Sequence, residues 1–245
     1  MNVYVAHIAA VLTPLMRTPV FWAPVILFPT LLYSFFGLPP SLNAPEFGNV
    51  LLASWSAFAV IGVGFFQFGV SIAMSRESKW EDYARTLPVG GAPRLVAQVV
   101  AAMIVTALAL ALMWSVALLA GATTLTAPQF AHLLAVLTGG VVPFVVMGVA
   151  LGYLMPPRGA VPIANLLYLP LAYFGGLWMP PSMLPDFVAR ISPLTPTRHL
   201  GELAWASVMG RDLPWASVQV LALYAAVAAL VALVMWRRDE ALRAR

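Results

Sequence analysis

The sequence predicts an all-α membrane protein: a bundle of six transmembrane helices with both termini on the cytoplasmic side. Three observations carry that prediction. Of the 245 residues, 62% are hydrophobic and 9% charged, whereas soluble domains carry about 25% charged residues. Six apolar runs, at approximately residues 20–38, 50–74, 95–120, 129–155, 159–180 and 213–236, contain no Asp, Glu, Lys or Arg. Each approaches the roughly 20 residues that a helix needs to cross the hydrocarbon core. Finally, ten Lys and Arg residues fall in the N-terminal segment, the second and fourth connections and the tail, against three in the fifth connection and none in the first and third. Positive residues stay on the cytoplasmic side, which sets the orientation in the inner membrane. The six runs consume most of the chain, so residues 1–245 form a single transmembrane domain.

In chain order, residues 2–17 place Tyr4, Ile8, Val11 or Leu12, and Leu15 at helical spacing. This suits an interfacial helix or an extension of the first span. The first apolar run starts after residue 19 and lacks a small-x-small cleavage site, so no removable signal peptide is expected. Pro24 and Pro29 break or kink that span unless neighbours satisfy the freed carbonyls. Its outer connection, residues 38–47, has no Lys or Arg. The second span carries Gly62, Gly64, Phe65, Phe66, Gln67, Phe68 and Gly69. Phe65, Phe66, Gln67 and Phe68 are candidates to line a path for an amphiphile, with ordinary core packing as the alternative. Gly148 and Gly152 in the fourth span permit close helix contact, and Gln67, Gln98, Gln129 and Gln219 are suited to interhelical hydrogen bonds.

The fifth connection, residues 179–212, differs from the other outer ones. Pro180, Pro181, Pro185, Pro193 and Pro196 divide it into short helices. Leu184, Phe187, Val188 and Ile191 make one apolar face; Leu200, Leu203, Ala204 and Ser207 or Val208 make another. Such pieces are too short to span and too apolar to float, so they read as re-entrant or cap helices at the outer end of the bundle.

Charge is concentrated between the second and third spans. Residues 75–94 hold seven of the 22 charged residues. Within them Trp80, Tyr83, Ala84 and Leu87 recur at i, i+3, i+4 and i+7, one face of a short helix whose other side is ionic. Ser78 and Glu81 form a capping box at its start, and Pro88, Gly90, Gly91 and Pro93 end it. The reading is an amphipathic helix over residues 78–87, pinned at the membrane surface and presenting charge to the cytosol.

Several chemistries are excluded. The absence of cysteine removes disulfides and thiolate chemistry. The single lysine, Lys79, lies between Ser78 and Trp80, so no phosphate-binding loop of the Gly-x-x-x-x-Gly-Lys type exists. His7, His132 and His199 are far apart, and His199 with Glu202 falls short of a metal set. Ser71 follows Gly69 inside a span without an evident histidine partner. Ion-coupled carriers keep ionisable groups within spans, and no span here has an Asp, Glu, Lys or Arg. No catalytic residue, metal site or cofactor site is predicted for this chain, and the net charge of +4 follows the topology without requiring nucleic acid.

The segment Arg76-Glu-Ser-Lys-Trp-Glu-Asp-Tyr-Ala-Arg-Thr-Leu-Pro88 is similar to the acidic segment ending in Thr-Leu-Pro or Thr-Pro of the ABC-2 type permeases, the membrane subunits of ABC exporters. Phe174-Gly-Gly-Leu-Trp-Met-Pro-Pro-Ser-Met-Leu-Pro185, continuing through Ile191 to Pro196, is a second match. The resemblance covers essentially the whole chain, although many members have Gly where Ser78 or Lys79 stands. It implies a half-transporter: two permease chains form the pathway, and separate nucleotide-binding subunits carrying ATP and Mg dock beneath them. The helix at 78–87 would be the coupling helix. Arg76, Glu77, Lys79, Glu81, Asp82 and Arg85 would contact the ATPase, while Trp80, Tyr83 and Leu87 anchor the helix to the bundle. A transporter with neither an intramembrane charge nor a nucleotide site needs its free energy delivered from outside, which agrees with that implication. The apolar path suits a lipid-like or amphiphilic substrate, such as a drug or peptide. An ATP-independent secondary carrier or facilitator, and a non-transporting scaffold or sensor subunit, are the alternatives.

Overall fold

Long apolar runs fold as helices because, in lipid, every backbone amide and carbonyl must find its partner within the protein. The computed structural model describes residues 3–17, 19–76 and 91–243. Among the described residues there is no strand. The chain begins with α1 (Val3–Arg17), α2 (Pro19–Leu32), α3 (Leu38–Asn43), α4 (Pro45–Gly62) and α5 (Ser71–Ser75). It continues with α6 (Gly91–Leu119), α7 (Ala127–Leu154), α8 (Ala160–Phe174), α9 (Asp186–Ile191), α10 (Pro196–Met209) and α11 (Trp215–Arg243). Two π-helical segments, Tyr33–Gly37 and Val63–Val70, join α2 to α3 and α4 to α5 without a break in the helical run.

Among the described residues, five helical runs are long and apolar enough to cross a membrane: Val25–Asn43, Phe47–Ser75, Val96–Leu119, Ala127–Leu154 and Trp215–Asp239. Two stretches differ in helical extent from the apolar runs of the sequence. The helical run that holds the first apolar stretch continues past residue 38. The wider turn of Tyr33–Gly37 loosens the ladder ahead of Pro39 and Pro40, and the helix resumes as α3 to Asn43.

The second is the stretch 159–180, expected as a sixth span, whose helix covers Ala160–Phe174 and is not among these five runs. Its helix, α8, has 15 residues, about 22 Å at 1.5 Å per residue against a core of about 30 Å. Gly176, at φ 73°, ends it in a Schellman motif: Leu177 N–H donates to the Ala172 carbonyl at 3.1 Å, and Gly176 N–H to Tyr173 at 3.0 Å. Gly121 (φ 69°) and Gly210 (φ 64°) close α6 and α10 in the same left-handed conformation.

α10 packs against α4, α7, α8 and α11. Its buried residues include Leu200, Gly201, Leu203, Ala204, Trp205, Ala206, Ser207 and Val208. The element is therefore a core helix near one end of the bundle, more deeply embedded than a surface cap. Thr195 caps its start by accepting from Arg198 N–H, with Pro196 at the first helical position. Trp205 Nε1–H donates to Ser54 Oγ on α4 at 2.7 Å, and Thr197 Oγ1 donates to the Leu171 carbonyl of α8 at 2.5 Å. At the same end Asn49 bonds Thr123 and Thr124, and Gln129 Nε2–H reaches the Val208 carbonyl at 3.2 Å.

The second span is the axis of the bundle. Of its hydrophobic window 76% is buried, against 11% for α11, whose outer face is left to lipid or to another protein surface. The axis meets α7 backbone to backbone. A Cβ built on Gly148 would lie 2.0 Å from the Gly64 carbonyl oxygen, and one on Gly64 would lie 2.7 Å from the Phe144 carbonyl. Further along, a Cβ on Gly152 would lie 2.7 Å from the Cβ of Ile72 and 2.9 Å from the Gly69 carbonyl oxygen. Only hydrogen fits at these three positions. Gly148→Val should therefore cost about 1–3 kcal/mol, while Gly139→Ala, which meets nothing within 4 Å, should be neutral or stabilising by up to about 1 kcal/mol. Unfolding of both variants in detergent micelles measures the difference; equal midpoints would show that the seam tolerates a side chain.

Candidate functional site

The charged segment that follows the second span is rooted at Arg76, and the structure shows what that root holds. α5 brings Arg76 alongside the C-terminal turn of α7. Its Nη1 donates to the carbonyls of Gly152 at 3.1 Å and Tyr153 at 2.8 Å. These are among the last four carbonyls of α7, which have no amide partner within the helix. A cation there also opposes the negative end of the helix dipole. Nη2 forms an ion pair of 3.0 Å with Asp239 Oδ1, near the end of α11. The guanidinium lies over the Tyr153 ring, 5.4 Å from its centroid. Both charged side chains are largely buried, 21% and 12% exposed, so solvent screens the pair less than an open surface pair.

The bare edge of Gly152 lets α5 approach closely enough for this contact. Beside it Val70, Ala73, Met155, Ala160 and Ala164 form a small separate core. Arg76 thus ties the ends of the second span, α7 and α11 together, and its guanidinium points into the chain. Glu77, Lys79, Trp80, Glu81, Asp82, Tyr83, Arg85 and Leu87, and with them the helix expected at 78–87, lie outside the described residues.

The proposed substrate-path residues fall in the π segment Val63–Val70. Phe65 and Phe68 are buried at 1% and 2% exposure, while Phe66 is partly buried. The side chain of Gln67 lies outside the described residues. Tyr168 of α8 organises this region. Its ring stacks on Phe58 at 4.6 Å and meets Phe66 edge-on at 5.8 Å and Phe65 at 6.4 Å. Its hydroxyl donates to the Phe58 carbonyl at 3.0 Å, in the last turns of α4 ahead of the widened helical segment. The aromatic series continues through Trp55, Trp178 and Tyr173. Next to Phe65 an open pocket of about 240 Å³ is lined by Met147, Ala150, Leu151, Leu167, Leu171, Ala228 and Val231. The lining is wholly apolar. Among the described residues no group of His, Asp or Glu could hold a metal ion.

Tyr153, Tyr168 and Asp239 were not singled out by sequence reasoning. An acidic residue directly after Arg237 and Arg238 was the one available hint for Asp239, since it interrupts a basic flank. Tyr168 gave none: a tyrosine in an apolar run is ordinary, and its partners come from a span 100 residues away.

No protein-family model matches the chain. A protein of Bacillus subtilis (strain 168) named "Putative transport permease YvfS" is 25% identical over 244 residues, covering 98% of this chain and 100% of that protein. The chain is similar to a named transport permease along its whole length. That similarity and the five long apolar helices agree on a multi-pass membrane protein.

The aromatic seam makes a testable claim about stability. Tyr168→Phe should lose about 1 kcal/mol with its buried hydrogen bond, and Tyr168→Ala about 3–5 kcal/mol with the ring. Denaturant titration in micelles separates the two, and a Tyr168→Phe variant as stable as the parent would assign the hydroxyl no energetic role.

Proposed function

We propose that this chain is the membrane-spanning permease subunit of an ATP-driven exporter of the ABC-2 type, working as one of two permease chains above separate nucleotide-binding subunits. The observation that carries the proposal is the contrast between the spans and the segment after the second of them. The spans carry no charged residue that could bind a driving ion, whereas residues 75–94 hold seven of the 22 charged residues. The chain has no phosphate-binding loop, so ATP and its magnesium belong to the partner. Arg76 supports the proposal from the structural side, because it links the root of that segment to α7 and α11. The similarity to a named transport permease supports the transport half; the ABC-2 assignment, exporter direction and coupling come from the sequence resemblance.

The substrate that suits this bundle is lipid-like or amphiphilic. An apolar pocket beside Phe65 offers nothing to neutralise an ion, but it can accept hydrocarbon or an aromatic ring. ATP-driven closure of the nucleotide-binding subunits would displace the segment at 78–87, and the bundle would respond by changing which side its pathway faces.

The test starts with gentle extraction and identification of the co-purifying protein, followed by reconstitution of the pair in proteoliposomes. Reversing Glu81 and Asp82 to Lys together should lower ATP-dependent export about tenfold or more by opposing charge at the docking surface, with the chain still folded by circular dichroism. Export by the reversed variant at the parent rate would remove the coupling role. Transport that persists without ATP or any partner would instead establish a secondary carrier or facilitator.

A further inference from the structure

We propose that Arg76 is a positioning residue that makes the cytoplasmic-side ends of the second span, α7 and α11 move as one body, so that displacement of the segment beginning at Glu77 reaches two helices beyond its own. The functional part of this inference rests on the permease reading above; the mechanical part does not. Three features of the geometry support it. The guanidinium divides its bonds between helices, with Nη1 on the Gly152 and Tyr153 carbonyls of α7 and Nη2 on Asp239 of α11. A lysine could not reproduce that division, because its ammonium is a point charge and lacks the rigid fork of the guanidinium.

The second feature is position. Arg76 directly follows α5, a five-residue piece (Ser71–Ser75) beyond the π segment Val63–Val70. A π segment within an α-helix marks a departure from regular packing and is a common place for a helix to yield. A force applied at residue 77 would otherwise be absorbed by rotation of α5 about that segment. Bonds from Arg76 to α7 and α11 carry it onward.

The third feature is how α5 is seated. The missing side chain of Gly152 leaves room for Ile72 and the Gly69 carbonyl, and α5 packs on α7 and against the turn at Pro157–Gly159. Tyr153 adds its ring to the carbonyl it presents to the same guanidinium. The carbonyls, the aromatic face and the carboxylate surround one cation that sits at the root of the charged segment.

Two measurements test the inference separately from the permease reading. In the first, nitroxide labels are placed at Leu154 and Trp236, exposed positions near the ends of α7 and α11, and their separation is read by pulsed EPR on the full chain in lipid nanodiscs. The parent should give one narrow distance distribution. Arg76→Lys and Asp239→Asn should each broaden or shift it, and the double variant should do no more than Arg76→Lys alone. An unchanged distribution in Arg76→Lys overturns the proposal whatever the protein transports.

In the second, the reconstituted pair is assayed for export per ATP hydrolysed. Arg76→Lys should lower that ratio about tenfold, the scale of losing hydrogen bonds to a charged group, while binding of the nucleotide-binding subunit stays at the parent affinity. A parental ratio in a variant whose distances have shifted would overturn the transmission role. Shifted distances in a chain whose parent form shows no ATP-dependent export would leave the mechanical link standing and remove the permease reading instead.

Discussion

The bundle depends on the approach of two backbones at Gly64 and Gly148. In water, burying apolar side chains would hold helices together; between lipid tails that driving force is absent, and van der Waals contact must supply much of the association. Contact is greatest where side chains vanish. A would-be Cβ on Gly148 falls 2.0 Å from the Gly64 carbonyl, so the two helices touch through main-chain atoms. The rest follows from that closeness. It seats α5 against Gly152, which lets Arg76 reach the end of α7, and it brings α7 near enough for Met147, Ala150 and Leu151 to wall the pocket beside Phe65.

The second span is the most enclosed of the five long runs and also carries the longer of the two π segments. Eight π-helical residues, Val63–Val70, sit in the middle of the seam. A regular helix there would present a different set of side chains to α7 and α8. With the wider turn, Gly64, Gly69 and the phenylalanines all find their places, and Tyr168 bonds the Phe58 carbonyl just ahead of it. The span combines tight packing at its glycines with irregular winding between them, a combination suited to a helix that must reorganise as one piece.

At the opposite end, polar side chains fasten what apolar packing alone would leave loose. α8 stops short in its Schellman turn, and α10 occupies the space that a longer helix would have filled. Trp205 to Ser54, Thr197 to Leu171 and Gln129 to Val208 tie α10 to α4, α8 and α7. Arg198 and Glu202 pair at 2.6 Å with the guanidinium over Trp205, which keeps both charges near the rim. Among the described residues the two ends differ in kind: several short-range bonds hold a wedged helix on one side, and the Arg76 cation joins three helix ends on the other.

Composition and charge placement alone determined that the chain is a helical, multi-pass protein, because crossing lipid permits few backbone solutions and forbids unpaired charge. The proline-divided segment before the last span was also legible, since proline cannot be hidden inside a long helix. Glycine spacing suggested contact at Gly148 and Gly152, but not with which helix. The tertiary structure decided which runs are enclosed by the chain and which stay exposed, for in a bilayer both surroundings favour the same apolar residues and no pattern separates Leu52, fully buried, from Leu230, 63% exposed. It also decided that α8 ends early and that Arg76 turns inward to Asp239, 163 residues away. Those outcomes depend on carbonyl positions and distances between remote segments, which no local sequence window contains.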